Sequence, residues 1–217
     1  MRFDDYFPFW NKLTPQQQQQ LQDVTHPLTA KAGTVLHNGN SDCLGLLLIE
    51  SGQLRVYTLS PEGREITLYR LFKQDICLFS ASCVMPDVQF EVVVEAEKDC
   101  KLWVVPSCLF KNMMNDDLAV ASYTNRLLSS RFSDVMWLME QVMWKSFDKR
   151  LAAFLLEERD LEDSLSLKIT HEKIANHLGT AREVVTRMLR YFQSEGLVKL
   201  TRGSVEITDL PRLQNLA

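Results

Sequence analysis

The chain has 217 residues, 46% of them apolar, enough for one large or two small cored domains and too many for a disordered chain. A formal net charge of −4 excludes a surface coated in positive charge for indiscriminate nucleic-acid binding, though not a local basic patch. The opening Met1–Asp5 does not read as a signal peptide, and Leu44–Ile49 is only of strand length, so a soluble cytoplasmic protein without a membrane partner is expected.

Residues 1–30 read as short helices. Thr14 suits an N-cap, Pro15 the first helical position, and the glutamines that follow are fair helix formers, with Leu13, Leu21 and Val24 on the apolar side. From 31 to 106 glycines and prolines punctuate short runs rich in Val, Ile, Leu, Tyr and Thr. Gly45–Ile49, Gln53–Leu59, Glu65–Leu71, Glu91–Ala96 and Lys101–Val105 are of strand length. Within Gln53–Leu59, apolar Leu54 and Val56 alternate with polar Gln53 and Arg55, and Ser60–Arg64 reads as a hairpin turn. Many short strands with regular turns predict a sandwich or barrel-like β domain. The five cysteines are an odd number without a Cys-x-x-Cys pair, which argues against a disulfide framework and a zinc ribbon. His26, His37, His171 and His177 show no ligand spacing, so no metal site built on histidines is expected.

From about 107 to 145 the period changes. Leu128, Phe132, Val135, Met139 and Val142 step by four, three, four and three residues, an a/d seam on a long helix without internal Gly or Pro. The helix either lies on the β domain or joins two copies of the chain. Further apolar residues (Met136, Trp137, Trp144) favour the second, because one β domain hardly covers both sides.

Helices dominate after 146. Phe147, Arg150, Leu151, Phe154 and Leu155 share one face. Ile169–Leu178 and Thr180–Phe192 then read as two helices separated by a Gly179 turn, the helix-turn-helix arrangement. Leu197–Leu200, Thr201–Ser204 and Val205–Thr208 make a strand, a turn and a strand. Ile174, Ala175, Leu178, Val184, Val185, Met188, Leu189 and Phe192 supply the inward faces. Ala181, Arg182, Glu183, Thr186, Arg187 and Arg190 are left on the outer face of the second helix, which would enter the major groove of double-stranded DNA by its N-terminal end.

Arginine grips guanine through O6 and N7, glutamate accepts from the cytosine amino group, and threonine offers a methyl or a hydroxyl. Arg187 is therefore expected to contact guanine and Glu183 cytosine. Thr180-x-x-Glu183 also fits a capping box, the structural alternative for Glu183. Arg182 either reads a base or clamps a phosphate, Arg190 contacts a phosphate or is solvated, Thr180 opens the helix, and Lys199 with Arg202 marks a wing on the backbone. Between Thr180 and Ser204 five bases face two acids, Glu183 and Glu195, which is the basic patch hidden by the acidic total. There is no convergent acid–base pair, nucleophile motif or phosphate loop, so no enzymatic activity is expected.

A β domain, a long helix, Asp148–Leu155 and the run Arg182-Glu183-x-x-Thr186-Arg187 together resemble the Crp/Fnr family of transcription regulators over nearly the whole chain. The resemblance implies an α+β fold: a cyclic-nucleotide-binding-like β-roll (a jelly roll) over 1–112, a dimerisation helix over 113–145 and a winged helix-turn-helix over 146–217. It also implies a homodimer with its interface at Leu128, Phe132, Val135, Met139 and Val142. A palindromic operator with TGA-containing half-sites about one helical turn apart and contacts with RNA polymerase follow from the same likeness. Two subtypes are not matched. Members that bind cAMP carry an arginine for the phosphate, whereas Asp75–Glu91 has none and ends in a repelling carboxylate, so cAMP is not expected. Members with an N-terminal iron–sulfur cluster carry cysteines where this chain has none before Cys43.

The effector region of the family falls on Cys77, Ser80, Ser82 and Cys83. These residues line a small-molecule pocket, or act as redox thiols or as ligands of haem or an iron–sulfur cluster, or are simply small buried side chains. Their sequence leaves the cofactor unknown.

Overall fold

A computed structural model describes residues 2–39, 43–80 and 91–217. The chain divides into two compact units, Met1–Thr58 with Leu68–Val135, and Leu59–Thr67 with Met136–Ala217.

The first unit opens with two short 3-10 turns and α1 (Pro15–Val24). Thr14 caps α1 in a full capping box. Its hydroxyl accepts from the Gln17 amide at 3.3 Å, and its own amide donates to Gln17 Oε1 at 2.8 Å. Among the described residues eight strands follow: β1 (His26–Ala30), β2 (Val35–Asn38), β3 (Leu46–Ser51), β4 (Leu54–Leu59), β5 (Glu65–Leu71), β6 (Ile76–Cys77), β7 (Val93–Ala96) and β8 (Cys100–Val105); Leu59 of β4 and residues 65–67 of β5 fall in the second unit. The strands form two antiparallel sheets, ordered β1-β8-β3-β6 and β2-β7-β4-β5. Leu47, Ile49, Leu54, Val56, Val94 and Leu102 belong to the apolar core of this jelly-roll-like domain. β1 corrects the helical expectation for residues 1–30. His26–Ala30 pairs with β8 at the sheet edge, where Pro27 is tolerated because it lacks only an outward-facing donor.

Both faces of β4 are covered, so the alternation at Gln53–Val56 does not separate core from solvent. Arg55 is buried beside Glu95 at 3.9 Å, and its guanidinium lies 4.2 Å from the Tyr57 ring centroid. Gln53 Nε2 donates to Glu97 at 2.7 Å, and Arg70 pairs with the same carboxylate at 3.1 Å. Buried charges persist when they are paired and hydrogen-bonded in this way. The cysteine expectation is also corrected. Cys43 is disulfide-bonded, whereas Cys77, Cys100 and Cys108 carry free thiols. An odd count rules out pairing all five, not one pair, because a disulfide depends on spatial proximity that spacing does not report.

α2 (Ser107–Asp116) precedes the long α3 (Leu118–Trp144). Asp117 breaks between them in extended conformation, and its carboxylate accepts from the Ala119 amide at 2.7 Å. The two halves of α3 differ. Val120 and Thr124 are buried, and Leu127 and Leu128 pack on the β-domain core. Phe132, Trp137, Met139, Val142, Met143 and Trp144 are exposed. Among the described residues no helix is long and apolar enough to cross a membrane.

The second unit holds α4 (Phe147–Glu162), β9 (Ser166–Leu167), α5 (His171–Leu178), α6 (Arg182–Ser194), β10 (Val198–Thr201), β11 (Ser204–Ile207) and α7 (Leu210–Leu216). The strands form one sheet ordered β10-β11-β9. Leu151, Leu155, Ile174, Val185, Leu189, Phe192 and Val205 are fully buried in its core. The apolar spacing of α5 and α6 thus turns one face of each helix inward and commits the remaining face to solvent.

Candidate nucleic-acid interface

Three residues join α5 to α6. Gly179 ends α5 in left-handed conformation, with φ 67° and ψ 38°. The Thr180 amide donates to the Ala175 carbonyl at 3.1 Å, and Ala181 is the N-cap of α6. The predicted capping box is therefore not formed. The helix opens after Ala181, which leaves Thr180 in the turn and Glu183 in the first turn of α6 with no capping partner. A carboxylate there is favoured by the helix dipole and remains free to act outward.

Arg182, Glu183, Arg187 and Arg190 are exposed along α6, and Thr186 is partly covered. Glu183, Arg187 and Arg190 make no hydrogen bond or ion pair with another described residue. Arg182 stands 4.0 Å from Glu172, an exposed and weak pair. β10 and β11 pair from Val198↔Ile207 to Thr201↔Ser204, so Arg202 and Gly203 form the tip of the hairpin. Lys199, on its outer surface, lies 3.9 Å from Glu206, both largely exposed. An open groove runs between the α5 start, the α6 start and this hairpin, lined by Thr170, His171, Glu172, Arg182, Thr201 and Gly203. The second unit thus brings together Arg182, Glu183, Thr186, Arg187 and Arg190 on one helix, with the hairpin of Lys199 and Arg202 beside it.

Two positions have a role that the sequence does not disclose. Arg150 of α4 is half-buried, with its guanidinium 5.6 Å from the Phe147 ring centroid, and Nη1 donates to the Leu178 carbonyl at 3.3 Å. It braces the C-terminal end of α5, where carbonyls carry partial negative charge, and burial lowers its pKa. His171, the first residue of α5, hydrogen-bonds Thr186 of α6 through Nδ1 at 2.9 Å. Burial, then Arg182 and Arg190, push its pKa below the ordinary histidine range, so the ring is neutral near neutral pH.

In the β domain, Cys77 is buried, and burial raises its thiol pKa. The buried Ser80 hydroxyl lies 2.7 Å from the Gly45 carbonyl and 2.9 Å from that of Cys77. Ser82 and Cys83 lie outside the described residues. Among the described residues no group of three metal-ligating side chains occurs.

Comparison with known proteins agrees with this architecture. A model of the Crp-like helix-turn-helix domain matches residues 149–216, and one of the cyclic nucleotide-binding domain matches residues 27–117. A crystal structure of a chain from Eubacterium rectale assigned to the Crp/Fnr transcriptional regulators is 61% identical, covers 98% of both chains and superposes with a TM-score of 0.96. The Anaerobic regulatory protein of Haemophilus influenzae is 26% identical over 190 residues, 84% of this chain and 72% of that protein. A Crp/Fnr-family regulator from Thermus thermophilus, at 24% identity over 88% of this chain and 98% of its own, shares the fold with a TM-score of 0.71.

Proposed function

The chain belongs to the Crp/Fnr family of DNA-binding transcription regulators, and from that premise we propose that it acts in the cytoplasm as a homodimer on a palindromic operator, with a signal in its β-roll setting its affinity. The observation that carries the reading is the exposed face of α6. Glu183 and Arg187 are one helical turn apart, point to no protein partner, and are flanked by a basic hairpin. In the major groove Arg187 pairs with guanine and Glu183 with cytosine, while Arg182, Arg190, Lys199 and Arg202 hold phosphates. Thr180 stands at the turn where the backbone passes.

Dimerisation uses the exposed half of α3. Phe132, Met139 and Val142, with Leu128 and Val135 leading into them, leave an apolar stripe that a second copy covers isologously. Two copies so joined present two α6 helices, which matches an inverted repeat. Contacts with RNA polymerase come with the family resemblance.

For the signal, a small molecule and a thiol change remain the two forms. Cyclic nucleotides are not favoured as the small molecule, because Asp75–Glu91 carries no cationic side chain for a phosphate. The disulfide-bonded Cys43 favours a thiol change, since disulfides of cytosolic proteins are mostly redox-sensing or catalytic. Selection from random-sequence duplexes, with the protein reduced and oxidised, tests both parts. An inverted repeat is the expected product, with affinity that changes on reduction. Recovery of no common sequence in either state contradicts the operator reading, and equal affinity in both contradicts the thiol signal.

A further inference from the structure

Thr186 occupies the middle of the reading surface, yet its hydroxyl is not handled as hydroxyls usually are on helices in this chain. Thr124 and Ser129 turn theirs back to the carbonyl four residues earlier, at 2.9 Å in each case. Threonine in a helix divides between two rotamers for this reason, one of which allows the back-bond. At Thr186 the hydroxyl instead meets the Nδ1 atom of His171, on the preceding helix, at 2.9 Å. Fixing the hydroxyl of a β-branched side chain fixes its methyl as well, because both hang from the same torsion.

The surroundings make this contact selective. Thr186 lies one turn from Arg182 and Arg190 and three residues from Glu183, so it shares the face that meets base edges. His171 is held at the first position of α5, whose N-cap Thr170 accepts from the Lys173 amide at 3.2 Å. The charged groups acting on the ring are Arg182 and Arg190 from α6, and Arg182 itself stands 4.0 Å from Glu172 of the α5 first turn. Both arginines disfavour an added proton, and a neutral ring retains one nitrogen that accepts.

We infer that His171 is a specificity-determining positioning residue: by holding the Thr186 hydroxyl it presents one arrangement of methyl and hydroxyl to one base pair of each half-site. His171 acts through Thr186, and its own contact with DNA is not required. This rests on the assignment of α6 as the base-reading helix. An unrestrained Thr186 alternates between rotamers that suit different base edges, so the loss on removing His171 falls on discrimination at that pair rather than on affinity in general.

The test uses the full-length protein and duplexes that vary the base pair whose preference Thr186→Ala abolishes. His171→Phe keeps a ring and removes both nitrogens. Discrimination at that pair should fall about fivefold, the lower end of what one good base contact provides. The other pairs, affinity for random duplex and the salt slope should stay as in the parent. His171→Asn, which places a polar atom near the Nδ1 position, should restore most of the preference, and His171→Phe should add nothing to Thr186→Ala. If the Phe variant does not fold, His171→Ala is read the same way. Unchanged discrimination overturns the inference. So does a uniform loss on all sequences with a flatter salt slope, which marks a phosphate contact instead. A parent protein that prefers no sequence refutes the underlying assignment, a separate outcome visible before any variant is made.

Discussion

Gly179→Ala tests the turn that sets α6 relative to α5, and its cost has two separable parts. The first is backbone. At φ 67° and ψ 38° a side chain is placed in the left-handed region, which costs about 1–2 kcal/mol for a residue with a Cβ. The second is steric. An added Cβ stands 2.9 Å from Ile66 Cδ1 and 3.1 Å from Ile66 Cβ, so the far end of Ile66 and its stiff branch point must both yield. Overpacking of that kind costs about 1–3 kcal/mol. Together they remove about 2–5 kcal/mol, a large part of the stability of an ordinary domain. Ile66 is half-buried, so Ile66→Ala alone costs less than a core truncation. Chemical denaturation followed by circular dichroism on the two single variants and the double variant separates the parts. Ile66→Ala should recover the steric part from Gly179→Ala and leave the backbone part. A Gly179→Ala protein within about 0.5 kcal/mol of the parent refutes the left-handed argument, being no more than an ordinary surface change. Strict additivity in the double variant refutes the contact with Ile66.

Because the folded chain holds His171 below its ordinary pKa of about 6.5, the unfolded chain binds the proton first as pH falls. Stability from this group is complete above that value and declines as pH drops through it toward the lowered folded value. His171→Phe should therefore flatten the fall in thermal midpoint between pH 7.5 and 5.5, in the range of about one unit either side of an ordinary histidine; an unaltered slope contradicts the assignment. Phe132→Glu, at a side chain 67% exposed in one chain, should shift sedimentation toward monomer without lowering the melting point of the protomer. A parent protein that sediments as monomer at micromolar concentration contradicts the dimer. Lys199→Ala should weaken all sequences alike and lower the salt slope by about 0.9, one phosphate contact; a loss confined to particular sequences contradicts the wing assignment.

What the sequence discloses is the local chemistry. The Thr14–Pro15 start of α1 is read correctly because the cap and its partner lie three residues apart. Most of the inward faces of α5 and α6 is read correctly because a helix repeats on itself, although Val184 stays outside the core and His177 is buried. The misses involve partners far along the chain. β1 has one buried residue in five, so it carries no strand pattern of its own and exists because β8 pairs with it. Arg55 and Arg70 look like surface charges until Glu95 and Glu97 arrive from another strand. Thr180-x-x-Glu183 has the letters of a capping box, but α6 opens one residue later, with Ala181 and not Thr180 at its N-cap after the left-handed Gly179. The 4-3-4-3 spacing on α3 reads as one stripe, whereas the first half of that helix rests on its own β domain and the second half is open. The pairing of His171 with Thr186 joins two helices across a turn, and no periodicity announces it.

The central claim is that the exposed side chains of α6 read bases. Its most direct measurement is the affinity of the parent protein and of Arg187→Ala for the selected inverted repeat and for each single base-pair variant of it, at one fixed salt concentration. Arg187→Ala should lose about 1–3 kcal/mol of discrimination at one guanine-containing pair per half-site and keep its preferences elsewhere. An Arg187→Ala protein with the preference of the parent at every pair contradicts the claim.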